Sequence, residues 1–270
     1  MKVLILAAGR GERMRPLTDT IPKPLLPVGG QPLIARLIRR LAREGFGEMV
    51  INLAYLGEHI EQALGDGRGL GVCIRYSRER AGALDTGGGV RQALPLLGEE
   101  AFLVVNGDVW TDYPFSRLAW APRGLAHVVL TPNPPHNPQG DFGLVREGAV
   151  DAEGEVGRVS NSAGERLTFS GVGVYRPALF RDWGPGRFPL AMALRSAVAK
   201  GQVTGERYAG DWRDVGTLAR LQEVRAQVEE TEKAGRNGAE RNNGGELCRE
   251  SQSAHSWSRM HYLRLQIPHS

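Results

Sequence analysis

Short apolar runs and amphipathic stretches alternate along residues 3–106. The run at residues 3–6 is uninterrupted, as expected of a strand that is covered on both faces. Residues 32–45 repeat leucine and isoleucine at helical spacing, with arginines on the opposite face and a glycine at the end. The same patterns predict strands at 49–53, 72–76 and 102–106, and helices near 56–64 and 90–96. This alternation predicts a Rossmann-like α/β fold with a mainly parallel sheet flanked by helices.

The pattern changes after residue 125. Residues 125–175 consist of strand-like segments and turns, which predicts an extension of the sheet with hairpins. An amphipathic helix at 188–201, strand-like segments at 203–208 and 212–215, and a helix from 217 to about 228 complete the domain. From residue 229 the chain is rich in Glu, Arg, Asn, Gly and Ser without periodicity, which is typical of disorder. We therefore expect one domain at 1–228 and a disordered tail at 229–270.

Composition and charge exclude several classes of protein. A chain of 270 residues with 41% hydrophobic content can bury a core of ordinary size. The net charge of +4 is modest and the basic residues are dispersed beyond the first loop, so nucleic-acid binding has little support. Cys73 and Cys248 form neither a disulfide framework nor a metal-ligand spacing. No apolar run approaches the roughly 18 residues of a membrane span, and the N-terminus lacks a signal-peptide pattern. We expect a soluble cytoplasmic protein that binds neither nucleic acid nor membrane.

The first strand runs into a small, basic loop. Side-chain bulk is removed where the strand ends, so that a base or a phosphate can approach the backbone; the small residues are Ala7, Ala8, Gly9 and Gly11. Four cations follow on a segment stiffened by prolines: Arg10, Arg13, Arg15 and Lys23. Cations held on such a restrained loop suit a polyphosphate.

Asp108 follows the strand at 102–106, after a glycine that permits close approach. Parallel sheets bind ligands outside the carboxyl ends of their strands, which places residues 8–13 and 106–108 at the same edge. We therefore expect the loop and Asp108 to share one cleft. A turn aspartate that caps backbone amides is the alternative interpretation of Asp108.

The pattern L-A-A-G-x-G-x-R-M-x-P-L-T, followed by P-K-P-L-x-P, resembles the signature of the sugar-1-phosphate nucleotidyltransferases. The resemblance covers residues 1 to about 228 and implies a nucleotide-diphospho-sugar transferase fold, in which the β-rich segment is a sugar-binding lid. The segments N-G-D-V-W-T-D-Y, T-F-S-G and W-R-D-V-G-T resemble the branch of the family that acts on N-acetylmuramate-1-phosphate. This branch implies uridylyl transfer from UTP to the sugar phosphate, release of pyrophosphate and a place in peptidoglycan recycling.

The resemblance also implies roles for charged residues. Arg13 would hold the departing β- and γ-phosphates, and Lys23 would lie near the α-phosphate and the attacking phosphate. Asp108 and Asp214 would bind one Mg²⁺, which prefers oxygen ligands from carboxylates and phosphates. With Arg13, Lys23 and Asp108 as catalytic residues, the protein acts by positioning and charge neutralisation, without a nucleophile or a general base.

Binding residues are expected on both substrate sides. Those for the nucleotide come from the loop and from the segment A-L-D-T-G-G-G: Ala8, Gly9, Gly11, Glu12, Arg13, Lys23, Thr86, Gly87 and Gly88. Backbone groups of residues 86–88 would reach the edge of the base, and a flexible turn is the alternative. Those for the sugar phosphate are Asn106, Asp141, Ser170 and Gly171, although Ser170 also fits a buried strand position. We expect structural or surface roles for His59, His127 and His136.

Other functions fit parts of the pattern. Within the family, the alternatives are mannose-1-phosphate guanylyltransferase and glucose-1-phosphate thymidylyl- or uridylyltransferase, which differ in a few pocket contacts. A dinucleotide-dependent oxidoreductase would need a third glycine where the chain has Met14, and an acidic residue where it has Asn52. A noncatalytic nucleotide-sugar sensor would not need the full set of charged residues. A monomer and a homodimer are both compatible with the sequence.

Overall fold

The computed structural model describes residues 1–79, 83–146 and 155–242, without the side chains of 155 and 235–242. The strands are β1 (Val3–Leu6), β2 (Pro27–Val28), β3 (Gln31–Pro32), β4 (Glu48–Leu53), β5 (Cys73–Arg78), β6 (Phe102–Asn106), β7 (Val109–Thr111), β8 (Ala126–Thr131), β9 (Phe142–Arg146), β10 (Glu155–Ser160), β11 (Glu165–Tyr175), β12 (Val203–Arg207) and β13 (Trp212–Asp214). The helices are α1 (Leu33–Arg43), α2 (Gly57–Leu64), α3 (Asp85–Leu97), α4 (Leu190–Ala199) and α5 (Leu218–Asn242).

Nine strands form one sheet in the order β5-β4-β1-β6-β11-β8-β12-β10-β9. The first four, β5, β4, β1 and β6, are parallel, as predicted for this part of the chain. β11 then runs antiparallel to both β6 and β8, and β9 pairs with both β10 and β11. The predicted α/β class is confirmed, and the region expected to form the sugar-binding lid is the mixed, largely antiparallel half of the sheet.

Apolar layers cover both faces of the sheet because its central strands carry hydrophobic side chains on both sides. One layer packs α1 and α2 against the face that contains Ile5. The other packs α3 and α4 against the face that contains Leu4. A third, smaller cluster joins Met14 of the N-terminal loop to Val224 of α5. This cluster packs the N-terminal loop against α5, which lies near the other end of the domain in sequence.

A two-stranded antiparallel ribbon, formed by β7 and β13, lies beyond the carboxyl end of β6. In its register Val109 opposes Asp214. The backbone N–H of Val215 also donates a hydrogen bond to the carbonyl oxygen of Asp108 over 2.8 Å. The ribbon therefore brings Asp108 and Asp214 together from distant parts of the chain.

Two helices differ from the sequence prediction. α3 begins at Asp85 rather than at residue 90, so that three consecutive glycines lie in its first turns. α5 continues to Asn242, so residues 229–242, expected to be disordered, are helical, and the expected boundary at 228 falls within this helix. The Glu, Lys and Ala residues after Val228 favour a helix once the preceding turns are docked.

Some predictions concern residues outside the described ranges. They are residues 243–270 of the expected tail and residues 147–151 of an expected hairpin. Within the described ranges, no helix combines the length and the apolar composition needed to cross a bilayer.

Candidate active site

The carboxyl ends of three parallel strands form one side of a cleft. Leu6 of β1 lies between Asn52 of β4 and Asn106 of β6 in one row of the sheet. The cleft has a volume of about 490 Å³. The predicted residues that line it are Ala8, Gly9, Gly11, Glu12, Arg13, Lys23, Thr86, Asn106 and Asp108. The loop and the end of β6 thus share one cleft, as predicted.

Gly11 allows the loop to fold back on itself. Its backbone is left-handed, with φ of +70°. Its carbonyl oxygen accepts hydrogen bonds from Met14 N and from Thr18 Oγ1, each over 2.9 Å. A Cβ at this position would lie 3.1 Å from Thr18 Cγ2 and 3.2 Å from Lys23 Cβ. The glycine is therefore needed both for the backbone conformation and for the close approach of Lys23.

Lys23 lies against Asp108 at the edge of the cleft. Its ammonium group donates a hydrogen bond to Asp108 Oδ2, and the lysine is only 9% exposed. An ammonium group carries three donors, so this bond leaves others for a ligand. The pair is a fixed positive charge beside a carboxylate, which is suited to bind a phosphate and a cation side by side.

Asp214 lies next to the cleft at Gly216, two positions later in the chain. Gly216 lines the cleft, and a Cβ there would lie 3.2 Å from Asp214 Oδ2 and 2.7 Å from Arg13 Nη2. Arg13 therefore packs on Gly216, beside Asp214. Of the four residues expected to carry the chemistry, Arg13, Lys23 and Asp108 line the cleft, and Asp214 lies beside Arg13 and Gly216 at its wall.

Two more polar side chains lie behind Asp214. Arg220 of α5 and His136 of the β8–β9 connection contact its carboxylate, with 3.7 Å between His136 Nε2 and Asp214 Oδ1. Burial, and then the charges of Arg220 and Arg13, lower the pKa of His136. The neutral ring accepts a hydrogen bond at Nε2 from Arg220 Nη1 over 3.3 Å. His136, expected to have a structural or surface role, thus contacts a predicted metal ligand.

The two aspartates fit a hard divalent cation. Asp214 Oδ1 is buried against Arg220, whereas Asp214 Oδ2 lies beside Gly216, which lines the cleft. Across the ribbon, Asp108 bonds Lys23 through Oδ2. In the part of the chain that the structure describes, no group of three His, Cys, Asp or Glu side chains forms a metal site by itself. A set of two carboxylates is sufficient for Mg²⁺, because substrate phosphates and water complete its coordination.

The glycine-rich start of α3 is packed rather than open. Gly87 N and Gly88 N both donate to the carbonyl oxygen of Phe188, over 2.9 and 3.1 Å. Thr86 Oγ1 accepts a hydrogen bond from Leu190 N over 2.8 Å. A Cβ at Gly87 would lie 2.4 Å from the Phe188 ring. The flexible turn considered from the sequence is absent from this described segment, and Thr86 is the member of the set 86–88 that lines the cleft.

A buried hydrogen-bond chain beside the cleft was missed by sequence analysis. Asn52 Oδ1 accepts from Ala7 N and Asn52 Nδ2 donates to Glu79 Oε1, each over 2.7 Å. Glu79 Oε2 in turn accepts from Leu84 N over 2.7 Å. Burial raises the pKa of Glu79. The chain links the ends of β1, β4 and β5 to the start of α3, and the polar Asn52 at the end of an apolar strand was the available sequence signal.

Asp85 and Arg187 also line the cleft and were not predicted. Asp85 has φ of +63°, a strained value for a residue other than glycine, and its Oδ1 accepts a hydrogen bond from Thr86 N over 2.7 Å. Arg187 is exposed, and within residues 1–79, 83–146 and 155–242 its guanidinium has no hydrogen bond or ion pair. It is thus a cation available to an anionic ligand. A single arginine in a Gly-Pro-Gly-Arg turn gives no sequence signal of such a position.

Of the residues predicted for the sugar phosphate, Asn106 lines the cleft. Gly171 has φ of +78°, and a Cβ there would lie 2.5 Å from Asn106 Nδ2. Ser170 is 1% exposed and its hydroxyl donates to the carbonyl oxygen of Val129 over 2.8 Å, as expected for a buried strand serine. Asp141 lies outside the cleft lining, where its Oδ2 accepts from Phe169 N over 2.8 Å.

Solved structures share this architecture. A glucose-1-phosphate thymidylyltransferase of Bacillus anthracis aligns with a TM-score of 0.70 and 20% identity, over 84% of this chain and 95% of that chain. A UDP-glucose pyrophosphorylase complexed with UDP-glucose aligns with a TM-score of 0.67 and 22% identity, over 85% and 98% of the two chains. At these identities the likeness establishes the fold.

Sequence comparisons reach further. A family model described as nucleotidyl transferase matches residues 2–231. The chain is 52% identical to the N-acetylmuramate α-1-phosphate uridylyltransferase of Neisseria meningitidis, over 84% of this chain and 97% of that protein. It is 32% identical to the protein of the same name from Caulobacter vibrioides, over 79% of this chain and 90% of that protein. The chain that carries this cleft, with its basic loop and two neighbouring aspartates, therefore belongs to the nucleotidyl transferase family.

Proposed function

We propose that the protein transfers a uridylyl group from UTP to N-acetylmuramate α-1-phosphate, giving UDP-N-acetylmuramate and pyrophosphate. The observation that carries the proposal is the 52% identity to the Neisseria meningitidis uridylyltransferase across 97% of that protein. The Caulobacter vibrioides relative supports the same pair of substrates. The gathering of Arg13, Lys23 and Asp108 in one cleft supports phosphate chemistry there.

The reaction needs charge neutralisation and alignment more than proton transfer. A phosphate oxygen of the sugar phosphate attacks the α-phosphorus of UTP in line, a P–O bond forms, and the bond to pyrophosphate breaks. The attacking phosphate is ionised at neutral pH, so no side chain has to remove a proton. We assign the departing β- and γ-phosphates to Arg13, and the α-phosphate and attacking phosphate to Lys23.

The remaining predicted residues divide between the two substrates. We assign the nucleotide to the loop residues Ala8, Gly9, Gly11 and Glu12 and to Thr86, which line the cleft. We assign the sugar to Asn106, with three residues that shape this side of the site: Asp141, Ser170 and Gly171. The exposed guanidinium of Arg187, which lines the cleft, is a further candidate ligand for a phosphate.

Asp108 and Asp214 are the residues that would hold Mg²⁺. When bound, this ion supplies neutralisation of phosphate charge and orientation of the triphosphate. Backbone hydrogen bonds hold the main chain at both residues: Asp214 pairs with Val109 in the ribbon, and the carbonyl oxygen of Asp108 accepts from Val215 N.

The product is an activated amino sugar of the type used to build the bacterial cell wall. Because the donor is UTP, a nucleotide of the cytoplasm, we place the activity in the cytoplasm and in the recycling of peptidoglycan sugars. This location and this pathway are inferred from the proposed substrates.

The test is pyrophosphate release with Mg²⁺ over a grid of donors and acceptors. The donors are UTP, dTTP, GTP and CTP, and the acceptors are the 1-phosphates of N-acetylmuramate, N-acetylglucosamine, glucose and mannose. We expect the highest kcat/KM with UTP and the muramate compound, and N-acetylglucosamine-1-phosphate is the matched control because it lacks only the lactyl group. Preference for another pair would overturn the assigned substrates, and nucleotide binding without turnover on any pair would indicate a sensor.

A further inference from the structure

Arg220 is held firmly against Asp214. Its Nη1 donates to the carbonyl oxygen of Asp214 over 3.0 Å and contacts the carboxylate of the same residue. Its Nε donates to Thr217 Oγ1 over 3.3 Å, and the side chain is 16% exposed. Backbone, carboxylate and hydroxyl oxygens thus fix the guanidinium in one orientation, with its charge on the aspartate that we assign to the metal.

His136 supports Arg220 from a different element. The connection between β8 and β9 is pinned by Asn137, whose Nδ2 lies 3.2 Å from both Asp141 Oδ2 and Thr168 Oγ1. The connection carries His136 to the guanidinium, where Nε2 accepts the hydrogen bond from Arg220 Nη1. Arg220 is therefore held by the connection between β8 and β9 as well as by the residues just before α5.

The carboxylates of the site are already in contact with cations. Lys23 touches Asp108 and Arg220 touches Asp214. Arg13 Nη2 and Asp214 Oδ2 both lie beside Gly216, so a further cation is close to the same carboxylate. A divalent cation that enters between the two aspartates must share each carboxylate with a positive side chain. The triphosphate of a nucleotide brings about four negative charges, which offset this repulsion.

We propose that Arg220 is a positioning residue that competes with the divalent cation for Asp214, so that the cation binds firmly only together with the nucleotide. The inference rests on the proposed function, in which Asp214 is a metal ligand. Free enzyme is then a weak metal binder in spite of its two carboxylates. When the phosphates bind, the guanidinium of Arg220 releases the carboxylate of Asp214, which then binds the cation.

The test measures Mn²⁺ binding to the full-length enzyme without nucleotide, by electron paramagnetic resonance. Removing a neighbouring positive charge strengthens cation binding at a carboxylate, and we expect Arg220→Gln to tighten the Mn²⁺ dissociation constant about tenfold or more. Arg213→Gln is the matched control, because it removes the same charge from the residue next to Asp214 in the chain. Arg213 forms its ion pair with Asp211 rather than with Asp214. We expect the Arg213 variant to bind Mn²⁺ like the wild type.

His136→Ala provides a second variant on the exposed β8–β9 connection, in case Arg220→Gln is poorly folded. Loss of the hydrogen bond between Arg220 and His136 should also tighten Mn²⁺ binding, by a smaller factor than Arg220→Gln does. Unchanged or weaker binding in both variants, or equal tightening in the Arg213 control, would overturn the proposal.

The double variant Arg220→Gln with Asp214→Asn separates this inference from the metal assignment. If Asp214 is the ligand, the second substitution removes the gain in affinity. If the double variant keeps the gain, Asp214 is not the ligand, and the assigned metal site fails together with the competition. If Asp214→Asn alone abolishes turnover while Arg220→Gln leaves Mn²⁺ affinity unchanged, only the competition fails.

Discussion

The carbonyl oxygen of Gly186 lies 2.3 Å from the position that a Cβ at Gly88 would occupy. Gly88 N also donates to the carbonyl oxygen of Phe188. A helix therefore meets a neighbouring backbone segment at a distance that only glycine permits. The segment 186–190 carries Arg187 to the cleft, so the triple glycine shapes the site by close packing.

Gly88→Ala should destabilise the protein by about 2 kcal/mol, because the added methyl group would overlap the carbonyl oxygen of Gly186 and crowd Leu84 Cβ. Alanine is otherwise favoured over glycine within a helix, so a loss of stability would come from the packing. Urea unfolding gives the difference through the midpoint at constant slope. Gly184→Ala is the control on the facing segment, since a Cβ there has nothing within 4 Å. Equal stability of the two variants would contradict the packing role.

Lys23→Ala should lower kcat by roughly two to four orders of magnitude, as is found for groups that neutralise charge in a transition state. The fold should persist, because the partner Asp108 remains partly exposed to solvent. Pyrophosphate release under saturating substrates measures the effect. Lys2→Ala is the control, since Lys2 bonds the carbonyl oxygen of Leu96 and does not line the cleft. A Lys23 variant with near-normal turnover would remove this residue from the mechanism.

Arg187→Ala should raise the KM of one phosphate substrate about tenfold or lower kcat by a similar factor, because its exposed guanidinium lines the cleft, where it can bind an anion. Initial rates with each substrate varied in turn will show which phosphate it contacts. Arg181→Ala, in the same connecting segment but outside the cleft lining, is the matched control and should behave like the wild type. Identical kinetics for both variants would show that Arg187 does not contact substrate.

Glu206 makes stability depend on pH. Burial alone would raise its pKa, but contact with His127, a hydrogen bond from Tyr113 and the charge of Arg117 lower the pKa below the ordinary value of 4.5. A depressed pKa means that the unfolded chain takes up the proton first as pH falls. The contribution of Glu206 is therefore present above about pH 4.5 and is lost as pH falls through the lowered value.

Glu206→Gln should accordingly cost about 1 to 3 kcal/mol at neutral pH, and the difference from wild type should shrink below pH 4.5. Urea unfolding at a series of pH values measures this difference. Glu100→Gln, at an exposed position, is the control. A difference that stays constant through the acid range would show that Glu206 is not the group responsible.

The fold was largely predictable because its determinants are local. The apolar strand at Val3–Leu6 and the amphipathic helix at Leu33–Arg43 lie where hydrophobic periodicity places them. The start of α3 was not predictable from propensity, because three consecutive glycines favour a turn. They become helical through contact with the segment 186–190, and that contact is not encoded in the local pattern.

The site was predictable where a motif carries the chemistry. The loop with Arg13 and Lys23, and Asp108 after a buried strand, do lie together at one cleft. Arg220 and His136 belong to no such motif: Arg220 reaches Asp214 from the first turn of α5, and His136 reaches it from the distant β8–β9 connection. Ser170 occupies the predicted strand at a local irregularity in the pairing of β11 with β8, and its hydroxyl bonds Val129 instead of lining the cleft.

The pairing of β7 with β13 has a consequence for the order in which the enzyme can become active during synthesis. The strands that build the nucleotide side are complete once Asn106 has emerged from the ribosome, whereas Asp214 is made much later. At that stage the chain also lacks Arg187 and Gly216, which line the cleft, and the segment 186–190 on which the start of α3 packs. The complete site therefore depends on elements that are made late, because β13 pairs with β7 and α5 packs over the N-terminal loop.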